Sequence, residues 1–153
     1  MLKSGFSIKG TVTFKVERAD GSILKISIEN LVVNYGLISL AAVIAGGSSF
    51  PVMNYLAMGN SDTPPALGDF SLSNEVIRDL VVVTQLASPA DNTVQFQIEH
   101  AQGDVVGVFR EAGLFDSSGA GTGNMFNRVV FADLDVSLSD TLTVTWLIEL
   151  KNE

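Results

Sequence analysis

Few side chains in this chain could do acid–base or nucleophilic chemistry. His100 is the only histidine and there is no cysteine. That composition excludes disulfides, thiolate metal sites, cysteine nucleophiles and His-rich metal clusters, and leaves any imidazole catalysis to one residue. The neighbouring Glu99 belongs to the same alternating segment, so the two side chains point to opposite faces of one strand and cannot form a dyad. His100 is expected as a satisfied or surface histidine. Gly119-Ala120-Gly121-Thr122-Gly123 has the glycines of a phosphate loop. Such a loop also needs a strand before it, a helix after it and a following Lys-Ser or Lys-Thr. Here Asn124-Met125-Phe126 leads into another strand, and the segment reads as a hairpin tip. Asp116 with Ser117 and Ser118, or Asp62 near Asp69, could offer oxygen atoms to Ca²⁺, but neither follows the spaced Asp/Asn loop that ends in a bidentate Glu. They read as solvated turn acids. No catalytic residue, metal or cofactor is expected, and the chain reads as a non-enzymatic protein.

The remaining charges of interest lie inside apolar strands. Glu75 with Arg78, and Glu111 with Arg110 or Arg128, are expected to form structural ion pairs within or between subunits, because an unpaired charge there is costly. Gly113 would let the chain kink or approach another backbone closely.

The elements that position these residues follow from periodicity. From Phe6 to Ile28 the pattern alternates on either side of Ala19-Asp20-Gly21. A three-residue loop, with Gly21 left-handed, pairs Val16 with Leu24, Phe14 with Ile26 and Val12 with Ile28, and so keeps the apolar sets on one face. Asn34 as N-cap and Gly46-Gly47 as a stop bracket a short helix from Tyr35 to Ala45. It is apolar on nearly every side, which predicts burial at the end of a sheet sandwich or in a subunit contact. Leu37, Leu40 and Ile44 are its candidate contact residues. Strands are expected at 54–58, 74–86, 93–100, 105–115, 125–131 and 141–150. Gly59 to Pro65 forms a loop, and 89–92 a turn. The expected fold is mainly β, an antiparallel, jelly-roll-like β-sandwich with one short buried helix and an N-terminal β-hairpin. Residues 1–153 read as a single domain, in which 1–29 is a hairpin arm able to dock on a neighbour.

Composition narrows the partners. Nine Lys and Arg against 17 Asp and Glu leave a net charge of −8 and a pI near 4.4. Counterion release at a phosphate backbone needs clustered Lys and Arg, so neither nucleic acid nor an anionic membrane is an expected partner. The N-terminus lacks the apolar core of a secretory signal, and the longest apolar stretch, Leu31 to Ala45, is shorter than the roughly 20 residues that span a bilayer. With 46% hydrophobic and only 17% charged residues, the chain has few groups to solvate an apolar surface. Self-association, most simply as a homotrimer, is expected.

Three segments together resemble a family of tailed-bacteriophage virion proteins. The first is Asn30-Leu31-Val32-Val33-Asn34-Tyr35-Gly36-Leu37, similar to that family's N-L-V-x-N-x-G lead into a short helix. The second is Tyr55-Leu56-Ala57-Met58-Gly59-Asn60 followed, after a Pro-containing loop, by Leu72-Ser73-Asn74-Glu75-Val76-Ile77-Arg78. The third runs from Arg110-Glu111-Ala112-Gly113-Leu114-Phe115-Asp116 through Asn124-Met125-Phe126-Asn127-Arg128 to the closing strand Asp140 to Trp146. The N-terminal domain of tail-fibre and collar proteins is similar around N-E-x-x-R and R-E-x-G-L-F-D, and small decoration or cement proteins share G-x-M-F-x-R as well. The resemblance covers roughly 30–150 and implies a virion component on the particle surface, assembled in the host cytoplasm. Its partners would be other copies of itself and either the major capsid protein or tail and collar proteins. It marks Glu75, Arg78, Glu111, Gly113, Phe115 and Arg128 as structural or interface candidates. No coiled-coil heptad follows Leu150, so a capsid decoration protein is expected ahead of a tail, collar or baseplate adaptor that attaches fibres. A glycan-binding module is the alternative from a different class.

Overall fold

Alternation with period two dominates the chain, and the computed structural model, which describes residues 5–47, 52–87 and 92–152, turns it into two five-stranded antiparallel sheets. In chain order the elements are β1 (Phe6–Glu17), β2 (Ile23–Glu29), β3 (Leu31–Val32), α1 (Asn34–Ile44), β4 (Tyr55–Gly59), β5 (Glu75–Leu80), β6 (Val82–Leu86), β7 (Thr93–His100), β8 (Gly107–Phe115), β9 (Met125–Val136) and β10 (Thr141–Asn152). The first sheet has the order β2-β1-β10-β7-β6 and the second β3-β9-β8-β4-β5.

At two of its four crossings the chain changes sheets at a single residue. Asn30 separates β2 from β3, and Val81 separates β5 from β6, so both sides of the sandwich are stitched by continuous backbone. At the first crossing the Asn30 side-chain oxygen accepts a 2.7 Å bond from the indole N–H of the buried Trp146. At the second, the Val81 N–H donates to the Asn54 carbonyl at 2.9 Å and its side chain turns into the core. The expected strand 74–86 is thus two strands in two sheets.

Between the sheets, Val12, Phe14 and Val16 of β1 and Leu142, Val144 and Trp146 of β10 meet Leu56, Met58, Ala112 and Leu114 of the other layer. The β1–β2 register matches expectation: Val12 faces Ile28, Phe14 faces Ile26, Val16 faces Leu24. Gly21 takes φ +83°, the left-handed turn that a β-carbon disfavours. The hairpin is built into the sheet. β1 is hydrogen-bonded along all twelve of its residues to β10, and Val12, Phe14 and Val16 have no exposed surface. Residues 6–29 are therefore integral to the first sheet and its core, with Phe6, Ile23 and Leu24 left exposed on it.

The helix also differs from expectation. Val33, not Asn34, stands at the N-cap, with no side-chain cap. Asn34 begins the helix, and its N–H donates to the Leu67 carbonyl at 2.8 Å. The C-terminus stops as expected, with Gly46 N–H on the Val43 carbonyl and Gly47 N–H on the Ala42 carbonyl, the paired bonds of a Schellman ending. The helix is not buried: only Gly36 and Ser39 are, while Ile38 is 62% and Ile44 80% exposed. Two short residues face inward because the backbone of β9 lies there; a β-carbon at Gly36 would stand 2.3 Å from the Phe126 carbonyl oxygen. No helix among the described residues is long and apolar enough to cross a membrane.

Candidate functional site

On the face of the second sheet turned away from the core, strand register sets the charged residues in rows. Arg78 of β5 lies opposite Ala57 of β4, Ala57 opposite Gly113 of β8, and Gly113 opposite Arg128 of β9. One row along, Glu75 and Glu111 flank Gly59. Beside them, Phe115 faces Tyr55 and Met125. Small residues between long ones leave room for the guanidinium groups to lie across the sheet. A β-carbon at Gly113 would sit 2.9 Å from the Asn127 carbonyl oxygen and 3.1 Å from the Met125 sulfur, so this position accepts only the closest backbone approach.

A bulge makes one of the pairs possible. Glu75 and Arg78 are three positions apart, which in an unbroken strand points them to opposite faces. The register shifts between Met58 and Gly59, with Met58 opposite Ile77 and Gly59 opposite Glu75, so Val76 is an extra residue and the two side chains share a face. Their bidentate pair measures 2.8 and 2.7 Å. The same guanidinium lies 3.8 Å from the Phe115 ring centroid and donates to the Ser117 and Thr122 carbonyls at 2.9 and 2.8 Å. Arg78 thereby fastens the glycine-rich tip 116–124.

Arg128 fastens the other loop, 60–74. Its guanidinium donates to Glu111 Oε2 at 2.8 Å and Asp69 Oδ2 at 2.7 Å, and to the Thr63 carbonyl and Ser73 Oγ at 2.9 and 3.0 Å. Glu111 also accepts the Ser73 and Asn74 N–H groups at 3.0 and 2.7 Å. Arg128 and Glu111 are both buried, so each needs the other plus every one of these bonds to offset its lost hydration. Beneath the loop a small apolar cluster of Val33, Ala57, Leu72, Phe115 and Met125 completes the packing.

Every carboxylate in this assembly is occupied by an arginine or by backbone N–H groups, and the arrangement holds loops in place without presenting a reacting group. It brings together Glu75, Arg78, Glu111, Gly113, Phe115 and Arg128. Of the two partners weighed for Glu111, the structure selects Arg128; Arg110 pairs instead with Asp133 at 2.6 Å. Leu37, Leu40 and Ile44 lie elsewhere, on α1. Sequence reasoning missed Asp69 as the second carboxylate on Arg128, and it also missed the Arg18–Asp140 pair. Both partners are distant in sequence, and no local spacing signals them.

At the opposite end of β7 from α1, His100 is neither satisfied nor on the surface. It is buried, its Nε2 has no hydrogen-bond partner, and Asp79 Oδ2 stands 4.0 Å away. Burial outweighs the attraction of Asp79 and Asp104 and holds its pKa below the ordinary imidazole value. Asp140 is held below the usual carboxylate range by the Ser137 N–H and by Arg18. Asp116 accepts both the N–H and the side-chain amide of Asn124, which closes the hairpin tip. Among the described residues, no three His, Asp or Glu side chains gather as metal ligands.

A further surface feature is an apolar groove of about 250 Å³ beside α1, lined by Leu40, Val43, Val52, Met53, Val83 and Phe126 among others, with the buried, unpartnered hydroxyl of Ser39 in its wall. Comparison with protein-family models, with curated proteins and with solved structures gives no match.

Proposed function

We propose that the chain is a non-enzymatic structural protein of a bacteriophage particle, a capsid decoration or cement protein that binds the outer head surface as a homo-oligomer, most simply a trimer, and stabilises it. The observation that carries this reading is the inverted helix. Leu37, Ala41 and Ile44 of α1, at the i, i+4, i+7 spacing of one helical face, are exposed, as is Ile38 beside them, while Gly36 and Ser39 are buried. No charged residue occurs from Asn30 to Ser61, in a chain of net charge −8. Covering such a strip recovers about 25 cal/mol per Å² of apolar surface. The acidic remainder keeps the protein soluble and disfavours non-specific association through its other faces. One apolar face on an acidic body suits a small protein that sits on a protein shell. The shell is named from the resemblance, whose motif residues Glu75, Arg78, Glu111 and Arg128 are the loop fastenings of the second sheet. A glycan module calls for several convergent polar groups in a concavity, and the groove beside α1 offers one hydroxyl.

The test uses particles assembled without this chain. They are expected to release DNA at lower temperature than complete particles and to recover when purified protein is added, with the protein sedimenting on tail-free heads. Binding only to tails or collars would move the assignment to a fibre-attachment adaptor. Binding to neither would overturn the virion reading.

A further inference from the structure

All four lysines among the described residues stand on one surface. Lys9 and Lys15 of β1, Lys25 of β2 and Lys151 of β10 alternate with side chains that enter the core, so they point outward from the first sheet. Glu17, Glu29, Glu99 and Glu149 share that face. It therefore carries as many positive as negative charges in a chain of net charge −8, and the whole excess of acid lies elsewhere. Three of the pairs are made within the molecule: Lys9 with Glu29 at 2.9 Å, Lys15 with Glu17 at 3.1 Å and Lys151 with Glu149 at 3.1 Å. The side chains of Lys25 and Glu99 have neither an ion pair nor a hydrogen bond among the described residues. They stand at the two ends of one cross-strand row, Lys25, Lys15, Thr143, Glu99, in which Lys25 directly opposes Lys15. Like charges so placed cost the monomer stability.

We infer that this face packs against the same face of a second copy, about a twofold axis that runs along the strands between β1 and β10. The register carries the inference. Under that axis each β1 residue meets, in the second copy, the β10 residue it already pairs with in its own sheet, and each β2 residue meets one of β7. Lys25 then lies over Glu99, Lys9 over Glu149, Glu29 over Gln95 and Lys15 over Thr143. No like charges are opposed. The next row, Ser27, Thr13, Thr145 and Gln97, is uncharged and tied by a 2.8 Å hydroxyl pair and a 3.0 Å bond from the Gln97 amide to Thr145. A hollow of about 400 Å³ over Thr143 and Thr145 receives Lys15 of the second copy. An uncharged centre inside a charged rim is the usual anatomy of a protein interface. A second copy is favoured over a different protein because the charge pattern is its own complement, and such a patch closes at two. Sheets stacked face to face keep their strands within about 30° of each other, which preserves these oppositions near the axis. Four strands roughly 4.8 Å apart and about eight residues rising roughly 3.3 Å each cover about 500 Å² in projection. Side-chain relief brings that towards the roughly 800 Å² per partner of a standard interface. The contact is separate from the outer face of α1 and does not depend on what α1 binds.

The test is charge complementation in the full chain, run in an Ile44→Asp background so that no contact through α1 contributes. Sedimentation equilibrium at submillimolar concentration is expected to give the mass of a dimer. Lys25→Glu and Glu99→Lys each set like charges against one another at both symmetry-related positions, and each should raise the dimer Kd roughly tenfold or more. Neither side chain holds the monomer together, so the melting temperature should not fall; in Lys25→Glu the new attraction to Lys15 should raise it. Mixing the two single variants in equal amounts restores both attractions, and a heterodimer should form where each variant alone sediments as a monomer. The double variant Lys25→Glu with Glu99→Lys should likewise regain the dimer. A monomer in the Ile44→Asp background alone, an unchanged mass in either single variant, or a mixture no heavier than its components would each overturn the inference.

Discussion

Arg128 shows how much one side chain can hold. Its guanidinium joins Glu111 in β8 to Asp69, Ser73 and the Thr63 carbonyl in the loop above. Arg128→Met would leave Glu111 buried without a cation and release the loop, an expected loss of about 3–5 kcal/mol that a urea denaturation midpoint would show. Arg128→Lys keeps the charge but loses the planar fork, and should fall between Met and wild type. His100 acts through pH. Its folded pKa lies below that of the unfolded chain because burial disfavours the imidazolium. The unfolded chain therefore binds the proton first as pH falls, and the stability held above the unfolded value of about 6.5 is lost as pH falls through the folded pKa. Denaturation midpoints measured from pH 7.5 downward should decline in wild type, and His100→Phe should flatten that limb without altering the carboxylate-driven loss at lower pH.

At the scale of elements, α1 separates two kinds of apolar position that look alike in sequence. Leu40 is partly buried and lines the groove, whereas Ile44 is 80% exposed. Leu40→Asp places a carboxylate among apolar side chains and is expected to destabilise the fold strongly. Ile44→Asp should leave thermal stability within about 0.5 kcal/mol of wild type and lower the sedimentation-equilibrium mass if the outer face of α1 is a self-contact. A wild-type mass equal to the 16.2 kDa monomer at micromolar concentration would remove self-association from the proposed function.

For the whole molecule, the decisive strand pair is β1 with β10. β10 is hydrogen-bonded to β1 on one side and β7 on the other, and removing residues 1–29 would strip one side of it and uncover Trp146, Val144 and Leu142. The truncated chain is expected to lose cooperative unfolding and near-ultraviolet dichroism. A truncation that melts as sharply as wild type would show instead that the hairpin is separable. The crossings at Asn30 and Val81 make the same point, since each ties one sheet to the other through a single residue.

Period-two alternation determined most of the strands from sequence alone, because a half-buried strand must place its apolar residues on one face. The β1–β2 register followed from the same rule applied to a three-residue loop, and the helix stop followed from Gly46-Gly47. The ion-pair candidates were legible as charges inside apolar strands. So was the pairing of Glu75 with Arg78, but the bulge at Val76 that puts them on one face was not, nor the choice of Arg128 over Arg110 for Glu111, nor Asp69, which reaches Arg128 from 59 positions away. Only tertiary structure decided that residues 74–86 serve two sheets, because nothing local distinguishes a continuous strand from one that turns at Val81 to bury its side chain. It also decided that the hairpin belongs to the core and the helix to the surface. An apolar face reads the same in sequence whichever way it points, and its direction is set by which other surfaces are left to cover it.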